Sequence, residues 1–466
     1  MNLSSGLYTD LYQLTMAQSY FLHGKHNTVA TFDYFFRKNP FESGYVLFCG
    51  LEQVLDWLEK VSFTKDDLAY LKDQGFREDF LEYLGRFSFG GHIKSMEEGQ
   101  VVFPFAPILS VTSSVVECQI IETYLLNILN FQSLIATKAS RVRYVAGKQA
   151  ILSEFGLRRS QGYAGLLASR AAYIGGFDST SNVLAGKEFE IPISGTMSHA
   201  FIQSYDEELT AFMAYAETFP DNCTLLVDTY NTLKSGMPHA IEVAKHLKSK
   251  GHQLAAIRLD SGDLAYLSRT CRNMLDSAGF PEVKIAASNQ LDEHVIRSLK
   301  EQEAAIDIYG VGTNLVVGRS NGALDGVYKL CSFDGIPRIK ISENLKKMNL
   351  PGSKQVYRYL NPNGLYMGDA IAMETEQTPN EMVHPFEPHK AMAIASEQGK
   401  PMLREVMNQG KRSIAKKSTQ EIAEMAKQNL QLLPREHKRF DNPHVYKVGI
   451  SRAVEVLRDD LKNQKK

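Results

Sequence analysis

Apolar Leu14, Ala17 and Phe21 follow the polar start Thr9-Asp10 at helical spacing, predicting a helix that Asp10 caps, Gln13 reaches back to and Gly24 ends. Residues 28–36 alternate in the strand manner and are rich in aromatics. A short apolar strand over 44–50 leads into a helical stretch over 51–60. From 115 to 145 the chain reads as one long, mostly apolar helix that breaks near Gly147.

Beyond residue 150 the pattern changes to short apolar segments that end in polar, charged or glycine residues. They are 151–155 before Gly-Leu-Arg-Arg, 172–176 before Phe-Asp-Ser-Thr, 191–194 before Gly-Thr-Met-Ser-His and 224–227 before Asp-Thr-Tyr-Asn. Three more follow, at 254–259 before Asp-Ser-Gly-Asp, 283–287 before Ser-Asn-Gln and 306–309 before Gly-Val-Gly-Thr. Helical patterns such as 239–250 and 294–302 lie between them, the alternation expected of a parallel sheet with helices outside. About seven such units in series favour a parallel α/β barrel, which gathers its chemistry at the carboxyl ends of its strands. An open doubly wound sheet is the alternative, and it too binds ligands beyond its strand ends.

After Gly326, residues 327–331 and 338–342 flank Asp334-Gly335 as a hairpin, and the chain closes on a helical stretch over 453–466. The expected organisation is an N-terminal α+β part over 1–148, a barrel over 149–326 and a C-terminal part over 327–466 that completes the α+β domain.

Composition adds bounds. The 466 residues, 44% hydrophobic and 23% charged, suffice for a large core and more than one domain. A formal net charge of −1 provides no global pull toward nucleic acid or an anionic membrane, so affinity for phosphates must come from local groups. Basic stretches at 411–417 and 435–439 are interleaved with acidic residues and read as solvated surface. Neither a leader-like start nor an apolar run long enough to span a bilayer is seen, which gives a cytoplasmic reading without membrane or nucleic-acid partners. The five cysteines are scattered and without a CxxC pair, the expectation being buried free thiols.

Chemistry concentrates at the expected strand ends. Gly310-Val311-Gly312-Thr313 suits phosphate, because glycines let backbone N–H groups approach an anion and threonine adds a hydroxyl; a tight turn needing positive φ is the plainer reading. Arg258, Asp260 and Asp263 place a cation and two carboxylates around one strand end, and Asp228 adds a carboxylate from the strand before. These groups could bind an acidic substrate, ribose hydroxyls or a divalent metal; an internal ion pair is the plainer alternative. Arg158 and Arg159 offer planar forks of donors for phosphate or pyrophosphate. His199 starts a helix just beyond a strand, where a lone histidine is more often structural than catalytic. There is no GxxxxGK[ST], so a P-loop ATP site is unsupported, and no HExxH. These residues alone describe a barrel enzyme that handles a phosphorylated sugar.

Taken as a set, Thr9–Gln13, Phe35–Phe41, Gly156–Gly162, Gly175–Ser179, Gly195–His199, Arg258–Leu264, Ser288-Asn289, Gly310–Thr313 and Gly326–Leu330 resemble nicotinate phosphoribosyltransferases, in the same order and up to about Gly352. The resemblance implies an irregular α/β barrel of the type II phosphoribosyltransferase kind, a second domain built from both chain ends, and a homodimer. It implies nicotinate contacts by Tyr12, Thr196 and Arg258, and phosphorylation of His199 by ATP. Thr313, with Gly310, Gly312, Arg158, Asp260 and Asn289, is implied for phosphoribosyl pyrophosphate, and Asp228 for Mg2+. The neighbouring alternatives are a nicotinamide or a quinolinate phosphoribosyltransferase; from another class, a non-catalytic barrel that binds phosphorylated metabolites.

Overall fold

The computed structural model describes residues 4–342, 348–376, 378–387, 389–395 and 399–464. The chain forms two compact units, one of residues 1–134 with 323–466 and the other of residues 135–322. The helix Val115–Ala146 is continuous in the chain through the junction, as its unbroken apolar pattern predicts.

In the first unit, strand Val29–Phe36 pairs antiparallel with both Leu109–Ser114 and Gly326–Phe333, so the two ends of the chain share one seven-stranded sheet. A hairpin turns at Asp334 (φ 55°) and Gly335 (φ 71°) as expected, both left-handed as a two-residue turn of this kind requires, but its second strand is the short Ile336–Pro337 paired with the end of Gly326–Phe333, and residues 338–342 form no strand. The C-terminal helix is Arg452–Asn463, and residues 465–466 of its expected span lie outside the described residues. Helix Leu11–Leu22 starts where expected, but by different means. Asp10 makes no side-chain cap and instead accepts from Thr123 Oγ1 at 2.9 Å, while Gln13 is buried rather than reaching back. Within the first basic stretch, Arg412 pairs with Glu52 at 2.6 Å and Asp56 at 2.8 Å, and Lys416 with Asp56 at 2.6 Å.

The second unit holds six parallel strands: β1 (Ile151–Glu154), β2 (Ser179–Thr180), β3 (Thr224–Leu226), β4 (Ala256–Leu259), β5 (Lys284–Ala287) and β6 (Ile308–Val311). Their order is β2-β1-β6-β5-β4-β3. A parallel bridge from Thr180 to Ile193 adds a seventh position beside β2. The resulting order is cyclic, as in a barrel, with one seam, between Ile193 and β3, that carries no strand pairing among the described residues.

Two expected strands are corrected. Residues 172–176 end the helix Ala164–Ile174, and the strand is the polar pair Ser179–Thr180 that follows. The run Ala-Gly-Leu-Leu-Ala-Ser-Arg-Ala-Ala is rich in strong helix formers, and its long span outweighs the apolar Tyr173-Ile174. Residues 191–194 contribute only the Ile193 bridge, and Ile193 itself is exposed at the seam.

Candidate functional site

Inside the second unit, Ser153, Ala256, Ala286 and Gly310 place small residues along a cavity of about 420 Å³, whose wall also includes Ile151, Thr224, Lys284 and Ile308 from strands of the same sheet; the interior of an ordinary βα barrel is filled by bulky branched residues. Toward the carboxyl ends the lining becomes Phe155, Gly195, Thr196 and Arg258.

Arg258 sits on β4, and its Nη1 donates to Thr196 Oγ1. Burial pushes its pKa down, opposed by Asp260 and then Asp228, while Arg158 works in the same direction as burial. A guanidinium stays protonated through such a shift. Its Nε is buried and makes no hydrogen bond. The hydrogen bond goes to Thr196, and the two aspartates act on Arg258 through space, so the plain ion-pair alternative does not describe it.

The acidic groups are tied to one another through backbone and hydroxyl donors. Asp228, just past β3, accepts the Asp260 N–H at 2.8 Å and Ser261 Oγ at 2.6 Å on Oδ2, while its Oδ1 is buried without a partner. Asp260 Oδ1 accepts from Ser288 Oγ beyond β5. Asp263 plays another part: it caps the helix Leu264–Ser277 by accepting the Tyr266 N–H at 2.9 Å.

His199 opens the short helix His199–Gln203, with Nδ1 3.1 Å from Thr229 Oγ1 and Nε2 3.8 Å from Asp260 Oδ2. Arg158 and Arg159 lie exposed in a one-turn 3-10 helix, Leu157–Arg159, after β1. Asn289 follows β5 in the left-handed region (φ 81°), a conformation that non-glycine residues adopt mostly where function or a turn demands it. The buried Asn314 holds that turn, its Nδ2 donating to the Gln290 carbonyl at 3.0 Å.

The glycines act by close approach. Gly310 and Val311 belong to β6 instead of following it, and Gly312 has φ −120°, so neither Gly310 nor Gly312 needs positive φ. A Cβ on Gly310 would lie 2.5 Å from the Phe155 ring, and one on Gly312 3.0 Å from the Phe155 carbonyl oxygen. Thr313 starts the short helix Thr313–Val316.

The second unit thus brings together Arg158, Thr196, His199, Asp228, Arg258, Asp260, Asn289, Gly310, Gly312 and Thr313 at the carboxyl ends of its strands. Tyr12 belongs to the first unit, half exposed on helix Leu11–Leu22. Sequence reasoning gave Thr229, Ser288 and Phe155 no role of their own; Phe155 and Ser288 directly follow strands and Thr229 stands three residues past β3, and that position was the available signal. Among the described residues no three His, Cys, Asp or Glu side chains converge as a preformed metal site.

A parallel barrel with a hollow interior and cations and carboxylates at its strand tips defines a class of small-molecule enzyme acting on anionic substrates. Comparison narrows the class. Residues 7–130 match the nicotinate phosphoribosyltransferase (NAPRTase) N-terminal domain, residues 151–379 the NAPRTase family and residues 353–458 the nicotinate phosphoribosyltransferase C-terminal domain. The chain is 47% identical over 459 residues to the nicotinate phosphoribosyltransferase of Bacillus subtilis, covering 96% of this chain and 93% of that one. Against the Dictyostelium discoideum enzyme of the same name it is 37% identical, covering 96% and 86%. The crystal structure of human nicotinic acid phosphoribosyltransferase superposes with a TM-score of 0.88 at 30% identity, covering 97% of this chain and 99% of that one. The chain belongs to the nicotinate phosphoribosyltransferase family.

Proposed function

We propose that this chain transfers ribose 5-phosphate from phosphoribosyl pyrophosphate to nicotinate, giving nicotinate mononucleotide and pyrophosphate, with ATP consumption coupled to the transfer in NAD biosynthesis. The observation that carries the reading is Arg258: a buried guanidinium at the cavity, held by Thr196 and keeping an unpaired Nε. A guanidinium matches a single carboxylate through a planar pair of donors. Nicotinamide has no carboxylate to offer it, and quinolinate has two.

Thr196 and Arg258 would receive nicotinate, the guanidinium pairing with its carboxylate. Gly310, Gly312 and Thr313 would approach the 5-phosphate, Asn289 and Asp260 the ribose side, and Arg158 the pyrophosphate. The pyridine nitrogen displaces pyrophosphate from the ribose C1, so positive charge grows on the sugar and negative charge on the leaving group. Asp260 faces the first and Arg158 the second. Since the nucleophile belongs to the substrate, no activated Ser or Cys is required.

Asp228 fits a Mg2+ ion. Its Oδ1 is buried without a partner, and magnesium is commonly held by one or two carboxylates together with substrate phosphate oxygens. Such an ion, when bound, neutralises pyrophosphate charge. His199 would accept the γ-phosphoryl group of ATP: a neutral imidazole nitrogen attacks phosphorus, ADP leaves, and the phosphoimidazole places new negative charge beside the cations. The same reading makes the enzyme a cytoplasmic homodimer; among the described residues no helix is long and apolar enough to cross a membrane.

The test is to incubate the purified protein with phosphoribosyl pyrophosphate and Mg2+ and with nicotinate, nicotinamide or quinolinate in turn, with and without ATP, and to follow which pyridine is consumed. Consumption of nicotinate, faster with ATP, is expected. Preferential consumption of either other pyridine overturns the assignment.

A further inference from the structure

We propose that Glu154, a buried carboxylate outside the residues assigned above, is a positioning residue that anchors the roots of both the Arg158 turn and the His199 loop. The proposal rests on the function just stated.

Glu154 ends β1 and is 1% exposed. Three neutral donors satisfy it in place of a cation. Oε1 accepts the Gly156 N–H, and Oε2 accepts Thr180 Oγ1 at 2.6 Å and Ser169 Oγ at 2.8 Å. Burying a carboxylate is costly unless its lone pairs are met, and an aliphatic side chain would serve a purely structural strand end at lower cost. The donors come from three elements: the turn after β1, the strand β2 and the helix Ala164–Ile174.

Two of those donors lead to anion-facing loops. Gly156 is the residue before Leu157–Arg159, and it fits so closely that a Cβ would lie 2.3 Å from Val316 and 3.0 Å from Glu154 Oε1. Its N–H therefore fixes the peptide from which Arg158 departs. Thr180 lends its hydroxyl to Glu154 while its backbone exchanges bonds with Pro192 O and the Ser194 N–H, both at 3.0 Å. The next residues are Gly195, Thr196 and, three further, His199. One carboxylate thus sets the starting point of the turn facing pyrophosphate and, through Thr180, of the loop facing nicotinate and ATP.

The chemistry separates two substitutions. Glu154→Gln retains an acceptor for the Gly156 N–H, and its amide can donate to the Thr180 and Ser169 hydroxyls, which rotate to accept. Glu154→Ala leaves the Gly156 N–H and the Thr180 hydroxyl unmet, while Ser169 Oγ keeps the Gly165 carbonyl at 3.0 Å. Thr180→Val keeps the Gly156 bond and removes the hydroxyl that links Glu154 to the loop leading to His199, together with the Asn182 N–H bond which that hydroxyl accepts at 3.0 Å.

The experiment measures thermal unfolding, KM for phosphoribosyl pyrophosphate, and the rate of acid-labile labelling from ATP for the wild type and each variant. Glu154→Ala should raise that KM and slow labelling, each about tenfold, as loss of hydrogen bonds to a charged group allows. Glu154→Gln should restore both to within about threefold of wild type, and Thr180→Val should slow labelling while leaving the KM near normal. A thermal midpoint lowered in Glu154→Ala with KM and labelling unchanged overturns the proposal. So does a Gln variant no better than Ala, or, should the Ala variant fail to fold, a Thr180→Val variant that labels at the wild-type rate. A wild-type protein that makes no nicotinate mononucleotide fails in the control, which identifies the functional reading as the part that is wrong.

Discussion

The Asp260 N–H donates to Asp228 Oδ2 at 2.8 Å, so a carboxylate just past one strand pins the first residue beyond the neighbouring strand. That bond uses one oxygen of Asp228 and leaves Oδ1 buried and unpartnered. Asp228→Asn can keep the bond to Asp260 by turning its amide oxygen inward, while the charge is lost. The variant should therefore fold with a near-normal thermal midpoint and require at least about tenfold more Mg2+ for half-maximal activity, the loss expected of one charge-assisted contact. A titration of activity against Mg2+ checks this, and an unchanged requirement removes Asp228 from the metal.

His199 lies between Thr229 and Asp260, with a ring nitrogen facing each. Incubation with ATP and Mg2+ should introduce one acid-labile phosphate per chain. His199→Asn should abolish this labelling and ATP hydrolysis and leave slow, ATP-independent mononucleotide synthesis, because the attacking nitrogen belongs to the substrate. Acid-stable label, or label that persists in the Asn variant, places the phosphate elsewhere.

The glycines at the cavity should differ in a way set by space. Gly310→Ala pushes a methyl group against the Phe155 ring, 2.5 Å from the new Cβ, and overpacking of that kind costs about 1–3 kcal/mol. Gly312→Ala, whose Cβ meets a carbonyl oxygen at 3.0 Å, should be milder, whereas the bulkier Gly312→Val should raise the KM for phosphoribosyl pyrophosphate. Thermal unfolding and the two substrate KM values separate a packing defect from a lost phosphate contact. Normal binding in Gly312→Val would show that this backbone is not the phosphate cradle.

Much of this site was legible because strand ends write their polar residues just after an apolar run: Asp228, Asp260 and Asn289 follow that rule, whereas His199 was marked by the resemblance. Ser179–Thr180 escaped it, being too short and polar to show any strand pattern, and the adjacent helix took the assignment instead. Glu154 escaped for a related reason. A glutamate at the end of an apolar segment looks like surface, and only the fold shows that donors from three elements close over it. For Gly310 and Gly312 the sequence carried the need for glycine but not its cause, which is the approach of Phe155 and not backbone handedness.

The five cysteines are buried, and burial pushes the thiols of Cys118, Cys223, Cys271 and Cys331 up to about 12. At pH 8 they should resist alkylation in the folded protein and react once it is denatured. The sign of the linkage follows: unfolded thiols lose their protons above roughly pH 8.5 while folded ones keep theirs, so stability falls as pH rises from there toward 12. Alkylation counted by mass spectrometry before and after denaturant checks the first part, and thermal midpoints across alkaline pH the second.

Arg258 carries the central claim, that the barrel mouth reads a pyridine carboxylate. The most direct measurement is the ratio of kcat/KM for nicotinate to that for nicotinamide in the wild type and in Arg258→Ala, with the KM for phosphoribosyl pyrophosphate recorded beside it. The wild type should prefer nicotinate strongly. Arg258→Ala should lose about 1.5–3 kcal/mol of that preference, the range for a hydrogen bond to a charged group, with little change in the KM for phosphoribosyl pyrophosphate. A variant that keeps the full preference, or that weakens both substrates equally, would contradict the account and return Arg258 to a structural part.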